Sequence, residues 1–414
     1  IRRQRQMCIR DSLDTAEEIA DTVELMDKAM VLGYGWKQGP FALADSIGLD
    51  KVAELYDETP ALLQAAIKAG GFYPEVGKVL ATDGAVSETK DRAGVVTVKE
   101  LLASGKATTV RETDKLNVHL LDNGVAILDL QTSLNSLSQP ALNDIRAVVD
   151  DAEELGIKAL VIGNDEQRAF SAGADLKSIA EAGESGDTQR IDDLVRNGSQ
   201  VMRKLRTAPF PVVGAVRGAA LGGGSELYLS CDRVVVHADT KVGFPERNVG
   251  LFPAWSGTVS LLERMRHLYD DYHQRAFDVI TDAKPLPNMY FAADYGFIRE
   301  GDAILMSPDH VLGYAIDQAA EMIDGYSPVA EDKIALYSGE TPLDEGWPIE
   351  GMTDNDHVIA RQLAKHYTAA DGVSELSFDE FADREVEYAV PLISMPANVE
   401  RAMHMAKTRK PLNN

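Results

Sequence analysis

Residues 218–227 read GAALGGGSEL and are the most informative stretch of this chain. They follow the apolar pair Val212-Val213, and we predict that they lead into a short helix through Tyr228 and Ser230. Glycines that open a helix expose backbone N–H groups without intrahelical acceptors, and the helix dipole favours negative charge there. The same turn would also suit close packing, so this stretch alone leaves an anion-binding turn and a packing turn equally open.

Two further segments have similar chemistry. Residues 170–176 read FSAGADL and follow a predicted buried strand at Ala159–Ile162, while residues 243–251 read GFPERNVGL and carry Glu246 in an apolar, turn-rich context. Together the three segments contain two turns rich in backbone donors and two glutamates, Glu226 and Glu246. An acyl thioester reaction requires these groups, namely donors for the enolate oxygen and two groups that move protons.

The surrounding pattern predicts an α/β domain. Leu116, Val118 and Leu120 alternate with polar residues, a turn follows at residues 122–124, and an apolar strand resumes at Val125. This pattern predicts a β-hairpin. Helix and strand signals then alternate through residues 234–236, as in α/β proteins, and helical signals dominate from about residue 261 onward.

Residues 113–310 closely resemble the crotonase, or enoyl-CoA hydratase, superfamily, with the AGAD, GGGxE and FPE segments in family order and spacing. The resemblance implies an α/β crotonase domain of the ClpP/crotonase-like ββα superhelix type. It also implies that the N–H groups of Ala174 and Gly223 form the oxyanion hole, while Glu226 acts as base toward water and Glu246 as acid toward C2. The substrate or CoA contacts that it implies are Ala172, Gly173, Asp175, Leu176, Lys177, Gly222, Ala254 and Trp255.

The resemblance implies an enoyl-CoA hydratase of fatty-acid β-oxidation, which adds water to a 2-trans-enoyl-CoA to give the 3-hydroxyacyl-CoA. The presence of both glutamates favours hydration over the alternative of an enoyl-CoA isomerase, which needs only one proton shuttle. A non-catalytic acyl-CoA-binding scaffold is the alternative from another class. Residues 253–257 read PAWSG where hydratases usually have Pro-Gly-x-Gly-Gly, so the bulk of Trp255 leaves the acyl chain-length preference open.

Residues 13–112 are predicted to be a helical region and a linker. Residues 19–30 have an amphipathic stripe that glycines at 33 and 35 end, and a second helix is signalled at Thr59-Pro60. The segments Asp27-Lys28-Ala29-Met30, Gly39-Pro40-Phe41 and Gly71-Phe72-Tyr73, with Asp45, Gly48 and Asp50, lie in this region. On these residues, about residues 13–100 resemble the C-terminal helical domain of 3-hydroxyacyl-CoA dehydrogenases, as in a bifunctional dehydrogenase–hydratase. No strand-GxGxxG-helix unit occurs in the chain, so we expect an N-terminally truncated, all-α remnant whose parent protein, but not this chain, would bind NAD.

Residues 1–12 read IRRQRQMCIRDS, with four Arg in an otherwise acidic chain. The segment back-translates to a stretch that resembles a sequencing-library adaptor. We therefore expect it to be an artefact of sequencing, and the alternative is a genuine basic tail.

Composition limits the partners. The net charge of −25 argues against nucleic acid, no apolar run approaches a membrane span, and two cysteines and scattered histidines favour neither disulfides nor a metal site. We expect a cytoplasmic enzyme that needs no cofactor for hydration and binds an acyl-CoA thioester. The resemblance implies a homotrimer or a β-oxidation thiolase partner. Residues 311–414 are predicted to be a helical extension of the crotonase part.

Overall fold

The computed structural model describes residues 2–89, 93–330, 332–346, 350–369 and 372–414, and the side chains of residues 2–6 also lie outside this description. The chain divides into two compact units, Ile1–Ala93 and Gly94–Asn414.

Helices are the most abundant elements among the described residues. They are α1 (Arg2–Ile19), α2 (Val23–Tyr34), α3 (Pro40–Ile47), α4 (Leu49–Ala53), α5 (Ala61–Ala69), α6 (Val98–Ala103), α7 (Gln139–Asp150), α8 (Leu176–Ser185), α9 (Thr188–Arg206), α10 (Gly223–Leu229), α11 (Gly257–Met265), α12 (Tyr272–Asp282), α13 (Met289–Ala293), α14 (Val311–Met322), α15 (Asp354–Tyr367), α16 (Phe378–Ile393) and α17 (Pro396–Thr408).

The strands are short. They are β1 (Lys78–Leu80), β2 (Val86–Glu88), β3 (Ala107–Glu112), β4 (Leu116–Leu121), β5 (Val125–Leu130), β6 (Ala159–Ile162), β7 (Val212–Val216), β8 (Ala219–Leu221), β9 (Arg233–His237), β10 (Lys241–Gly243), β11 (Ala303–Leu305), β12 (Ile334–Ala335) and β13 (Glu375–Leu376).

The first unit differs from the all-α prediction because β1 and β2 form an antiparallel pair. The stripe predicted as one helix is also divided, since α1 ends at Ile19 and α2 begins at Val23. At this break the hydroxyl group of Thr82 donates to the carbonyl of Ala20, and its N–H donates to the carbonyl of Asp21. The carbonyls of Ala20 and Asp21 therefore accept hydrogen bonds from Thr82 and not from the next turn of a helix. The spacing of apolar residues in the sequence does not reveal such tertiary hydrogen bonds.

Residues 2–12 lie in α1, where Ile9 is buried in the core of the first unit, and residue 1 is outside the described residues. The origin of this segment stays a prediction.

The second unit is built on a mixed sheet of seven strands in the order β11-β9-β7-β6-β5-β4-β3. The predicted hairpin is confirmed, because β4 and β5 are antiparallel with Leu116 opposite Leu130. β3 pairs with β4, so residues 107–112 belong to this unit and not to a linker. From β5 onward the strands of this sheet are parallel.

Both faces of the sheet are buried, which explains why β5 and β6 are continuous apolar runs. Val125 and Ile127 of β5 belong to the core that α14 covers, while Ala126 and Leu128 belong to the larger core on the other face. Successive strand residues therefore serve opposite cores.

The predicted helical extension at residues 311–414 also contains the short antiparallel pair of β12 and β13. Its helices complete the second unit, since α14 packs on β6, β7 and β9, α16 packs on α9 and α11, and α17 packs on α8. Within the part of the chain that the structure describes, no helix is long and apolar enough to cross a membrane.

Candidate active site

The turn at residues 171–175 packs directly against β8. The N–H of Leu221 donates to the carbonyl of Ser171 at 3.2 Å, and the N–H of Ser171 donates to the carbonyl of Ala219 at 3.2 Å. Gly173 has φ +83°, and a Cβ there would lie 2.5 Å from the carbonyl oxygen of Leu221. Glycine is therefore required at this position by both conformation and space.

The three glycines before Glu226 each have a separate reason. Gly222 has φ +55° and a Cβ there would lie 2.9 Å from Oε1 of Glu246. A Cβ at Gly223 would lie 2.6 Å from the indole of Trp255, and a Cβ at Gly224 would lie 2.2 Å from the carbonyl oxygen of Ser171. The glycine run thus lets three separate elements approach the start of α10.

The two predicted oxyanion-hole residues lie side by side. A Cβ at Gly223 would be 3.2 Å from the amide nitrogen of Ala174. Gly223 is the first residue of α10, so its N–H has no intrahelical acceptor. Among the described residues, neither N–H donates a hydrogen bond to the protein. The arrangement offers two neighbouring backbone donors to a ligand.

Glu226 projects from α10 and only 3% of its surface is exposed. Its Oε1 accepts from the N–H of Trp255 at 2.7 Å and from the N–H of Gly257 at 3.0 Å. Burial raises the pKa of this carboxyl well above its ordinary value, the negative charge of Glu246 adds to the rise, and the two N–H donors oppose it.

Glu246 begins the 3-10 helix Glu246–Val249. Its Oε2 is buried and has no hydrogen-bond partner among the described residues. Burial raises the pKa of this carboxyl to about 8. Because like charges in one buried site repel, the pair of Glu226 and Glu246 retains a proton near neutral pH.

Trp255 fills the space beside the two donors. Only 5% of its surface is exposed, and its indole would contact a Cβ at Gly223 or, at 2.2 Å, a Cβ at Gly198 of α9. The indole therefore lies between two glycines on different helices. Its backbone N–H, next to Ala254, is one of the two donors to Glu226.

The remaining predicted contacts lie along the turn into α8. The N–H of Ala172 donates to Leu134, and the carboxylate of Asp175 caps α8, whose first residue is Leu176, by accepting from the N–H of Lys177 at 3.3 Å. The side chain of Lys177 is 79% exposed and lies 3.7 Å from Glu181. The turn is thus brought to the site, whereas Lys177 points to solvent.

Glu385 of α16, which was not predicted from the sequence, is fully buried near Glu226. It lies in an apolar stripe with Phe381, Ala382 and Val386, where a charged residue is out of place. This break in the stripe was the available signal.

Among the residues that the structure describes, no group of three His, Cys, Asp or Glu side chains is arranged to hold a metal ion.

Comparison with known proteins finds a family match in the part of the chain that contains the candidate site. A family model described as enoyl-CoA hydratase/isomerase matches residues 123–273, which include both glutamates and both donor turns. Residues 123–273 are therefore similar to this family. They are preceded and followed by further sequence that the family model does not match.

Two curated relatives match different shares of the chain. The chain is 29% identical to a probable 3-hydroxyacyl-CoA dehydrogenase of Bacillus subtilis (strain 168), over 97% of this chain and 53% of that protein. It is 35% identical to a probable enoyl-CoA hydratase of the same organism, over 34% of this chain and 54% of that protein. The chain therefore spans about half the length of these relatives.

Solved structures have a similar fold. A putative enoyl-CoA hydratase/isomerase from Acinetobacter baumannii has a TM-score of 0.50 at 17% identity and covers 71% of this chain and 100% of that chain. The human mitochondrial delta3-delta2-enoyl-CoA isomerase has a TM-score of 0.50 at 16% identity, over 71% of this chain and 98% of that chain. The mixed sheet and these neighbours fit a crotonase fold.

Proposed function

We propose that the second unit is an enoyl-CoA hydratase that adds water to a 2-trans-enoyl-CoA thioester. The observation that carries the proposal is the convergence of two unengaged N–H donors, at Ala174 and Gly223, with two buried carboxyl groups, at Glu226 and Glu246. A scaffold that only bound acyl-CoA would not need two buried, mutually repelling carboxyl groups, since burying them costs stability.

In this proposal the donors at Ala174 and Gly223 bind the thioester oxygen as negative charge develops on it. Each donor of this kind typically lowers the barrier by about 3–4 kcal/mol. Both are backbone groups held by turns, so they are in place before the substrate binds.

The two carboxyl groups move the protons of water. The carboxylate of Glu226, whose Oε1 receives two N–H groups, takes a proton while the water oxygen bonds to C3. We place the proton that the pair retains on Glu246 when substrate is bound, because the two N–H groups stabilise the ionised form of Glu226 and Oε2 of Glu246 has no such donor among the described residues. Glu246 gives this proton to C2, so one water molecule is added in all. Transfer of the proton from Glu226 back to Glu246 restores the starting state.

The reaction neither oxidises nor reduces the substrate, so we propose that hydration needs no redox cofactor or metal. NAD would serve a dehydrogenase domain, and the relationship of the first unit to 3-hydroxyacyl-CoA dehydrogenases is part of this proposal. It is supported by the match to the B. subtilis dehydrogenase, which extends over 97% of the chain. A homotrimer or a thiolase partner is likewise part of this proposal.

Assays with the full 414-residue chain test this function. With crotonyl-CoA and a long-chain 2-enoyl-CoA we expect loss of the conjugated thioester absorbance. Glu226→Gln and Glu246→Gln should each lower the rate at least about 100-fold, because each removes one proton carrier. The exposed Glu300→Gln is the matched control and should retain wild-type turnover. Gain of absorbance from a 3-enoyl-CoA without any hydration would favour the isomerase instead.

A further inference from the structure

Glu385 comes from outside the matched domain yet is fully buried against the active site. It lies on α16, which packs on α11. Its Oε1 accepts from the N–H of Ser256 at 2.6 Å, and its Oε2 accepts from the N–H of Thr258 at 2.9 Å and from the Thr258 hydroxyl. Three donors on one carboxylate indicate a site built for the ionised form.

Glu226 and Glu385 accept hydrogen bonds from alternate backbone N–H groups of residues 255–258. Glu226 accepts from the N–H groups of Trp255 and Gly257, whereas Glu385 accepts from those of Ser256 and Thr258. The alternation requires an unusual backbone, and Ser256 has φ +73°, a left-handed conformation that a serine rarely adopts. Strain of this kind persists only where surrounding contacts hold it.

We propose that Glu385 is a positioning residue for hydration: it holds residues 255–258 so that two N–H groups reach Glu226, and its charge acts on the Glu226–Glu246 pair. The inference rests on the proposed hydratase function. Glu385 does not touch the reacting atoms in this account, because it acts through the segment and through Glu226.

The groups around Glu385 are consistent with a neutral hydrogen-bonded relay behind it. Burial lowers the pKa of His366 on α15 well below its ordinary value, so the ring is neutral. The Thr258 hydroxyl has one proton, which it donates to Glu385, so it accepts from Nε2 of His366 at 2.8 Å. This assigns the proton to Nε2 and agrees with a buried Nδ1 that has no partner among the described residues.

The other titratable groups that face Glu385 are the two glutamates and Tyr367 of α15. Burial raises the pKa of Glu385 to about 7, and the Thr258 hydroxyl opposes the rise. The negative charge of Glu385 raises the pKa of both Glu226 and Glu246. Removal of that charge should therefore lower both pKa values.

The test is the pH dependence of kcat for crotonyl-CoA hydration by the full chain with Glu385→Gln. We expect kcat at the optimum to fall about tenfold or more while KM changes less than about twofold, since the loss affects the chemical step. We also expect both limbs of the profile to move to lower pH by about 0.5–1 unit, because a nearby negative charge is lost. A purely structural effect would lower kcat without moving the limbs.

Two further variants make the test specific. Glu387→Gln changes the same charge on the exposed side of α16 and should retain the wild-type profile. Thr258→Val removes the hydroxyl donor but keeps both backbone N–H groups on Glu385. It should move the limbs in the same direction by a smaller amount, because Glu385 is then less readily ionised, and it serves as the test if Glu385→Gln does not fold.

The outcomes separate the two proposals. If the wild type is active but the pH profile of Glu385→Gln does not move, the role of Glu385 alone is overturned. If Glu385→Gln does not fold, an unmoved profile in Thr258→Val has the same meaning. A folded wild-type chain without hydration overturns the hydratase proposal, and this inference with it.

Discussion

The amide nitrogen of Ala174 lies 3.2 Å from the position that a Cβ on Gly223 would occupy. The two residues come from different turns, one leading into α8 and the other opening α10. Their proximity produces a pair of backbone donors, and it depends on the absence of a side chain at residue 223.

A methyl group at Gly223 should therefore impair the donor pair. We expect Gly223→Ala to lower kcat about 10–1,000-fold, because the methyl would lie 2.6 Å from the Trp255 ring and 3.2 Å from Ala174 N. Steady-state hydration assays measure this. Gly33→Ala is the matched control, since a Cβ there has no neighbour within 4 Å, and wild-type kcat in Gly223→Ala would contradict the assignment.

Trp255 should limit the length of the acyl chain. Because its indole fills the space between Gly198 and Gly223, Trp255→Ala should raise kcat/KM for a long-chain substrate relative to crotonyl-CoA by about tenfold. The cavity should also cost about 3–5 kcal/mol of stability. The ratio of kcat/KM values for the two substrates gives the answer, with Trp36→Ala in the first unit as control. An unchanged ratio in folded Trp255→Ala would refute this role.

Much of the second unit was predictable because its signals are local. The alternation at Leu116, Val118 and Leu120, the turn at Gly124 and the apolar run Ala159–Ile162 each predicted an element that the structure confirms. The break between α1 and α2 was missed because Thr82 causes it from a distant part of the chain. Periodicity records which residues are apolar, not which distant hydroxyl replaces a helical bond.

Stability should depend on pH through Glu246. Its pKa rises from 4.5 in the unfolded chain to about 8 in the folded chain, so its contribution to stability is full below pH 4.5 and is lost as pH rises through about 8. We expect Glu246→Gln to be about 1–3 kcal/mol more stable than wild type near pH 8.5 and almost equal to it near pH 4.5. Urea unfolding at both pH values measures the difference, with Glu300→Gln as control. A difference that did not vary with pH would rule out the raised pKa.

Asp27 should hold the first unit together. It is 5% exposed, and its carboxylate accepts at 2.8 Å from the N–H of Phe41, the N–H of Ala42 and the hydroxyl of Tyr73. Asp27→Ala leaves three donors without an acceptor, so we expect a loss of about 2–4 kcal/mol. Hydrogen exchange at residues 41 and 42 reports it. Asp57 is exposed, so Asp57→Ala should leave the exchange rates at residues 41 and 42 unchanged. Equal exchange rates at these residues in Asp27→Ala and Asp57→Ala would contradict the prediction.

The candidate site was predictable only in part. Glu226, Glu246, Ala174 and Gly223 were predicted as site residues because they lie in short motifs, and the structure brings them together. Glu385 was missed because its role depends on the packing of α16 against α11, far away in sequence. A glutamate in an apolar stripe indicates that its carboxylate has a buried hydrogen-bond partner. The sequence does not identify that partner as the backbone N–H groups of Ser256 and Thr258.

The most direct test of the account is the rate of crotonyl-CoA hydration by the full chain, compared with Glu226→Gln, Glu246→Gln and Glu300→Gln at the pH optimum. The two-glutamate mechanism predicts turnover in the wild type and in Glu300→Gln, and a loss of at least about 100-fold in each of the other two variants. Wild-type turnover that survives either of those substitutions would contradict it.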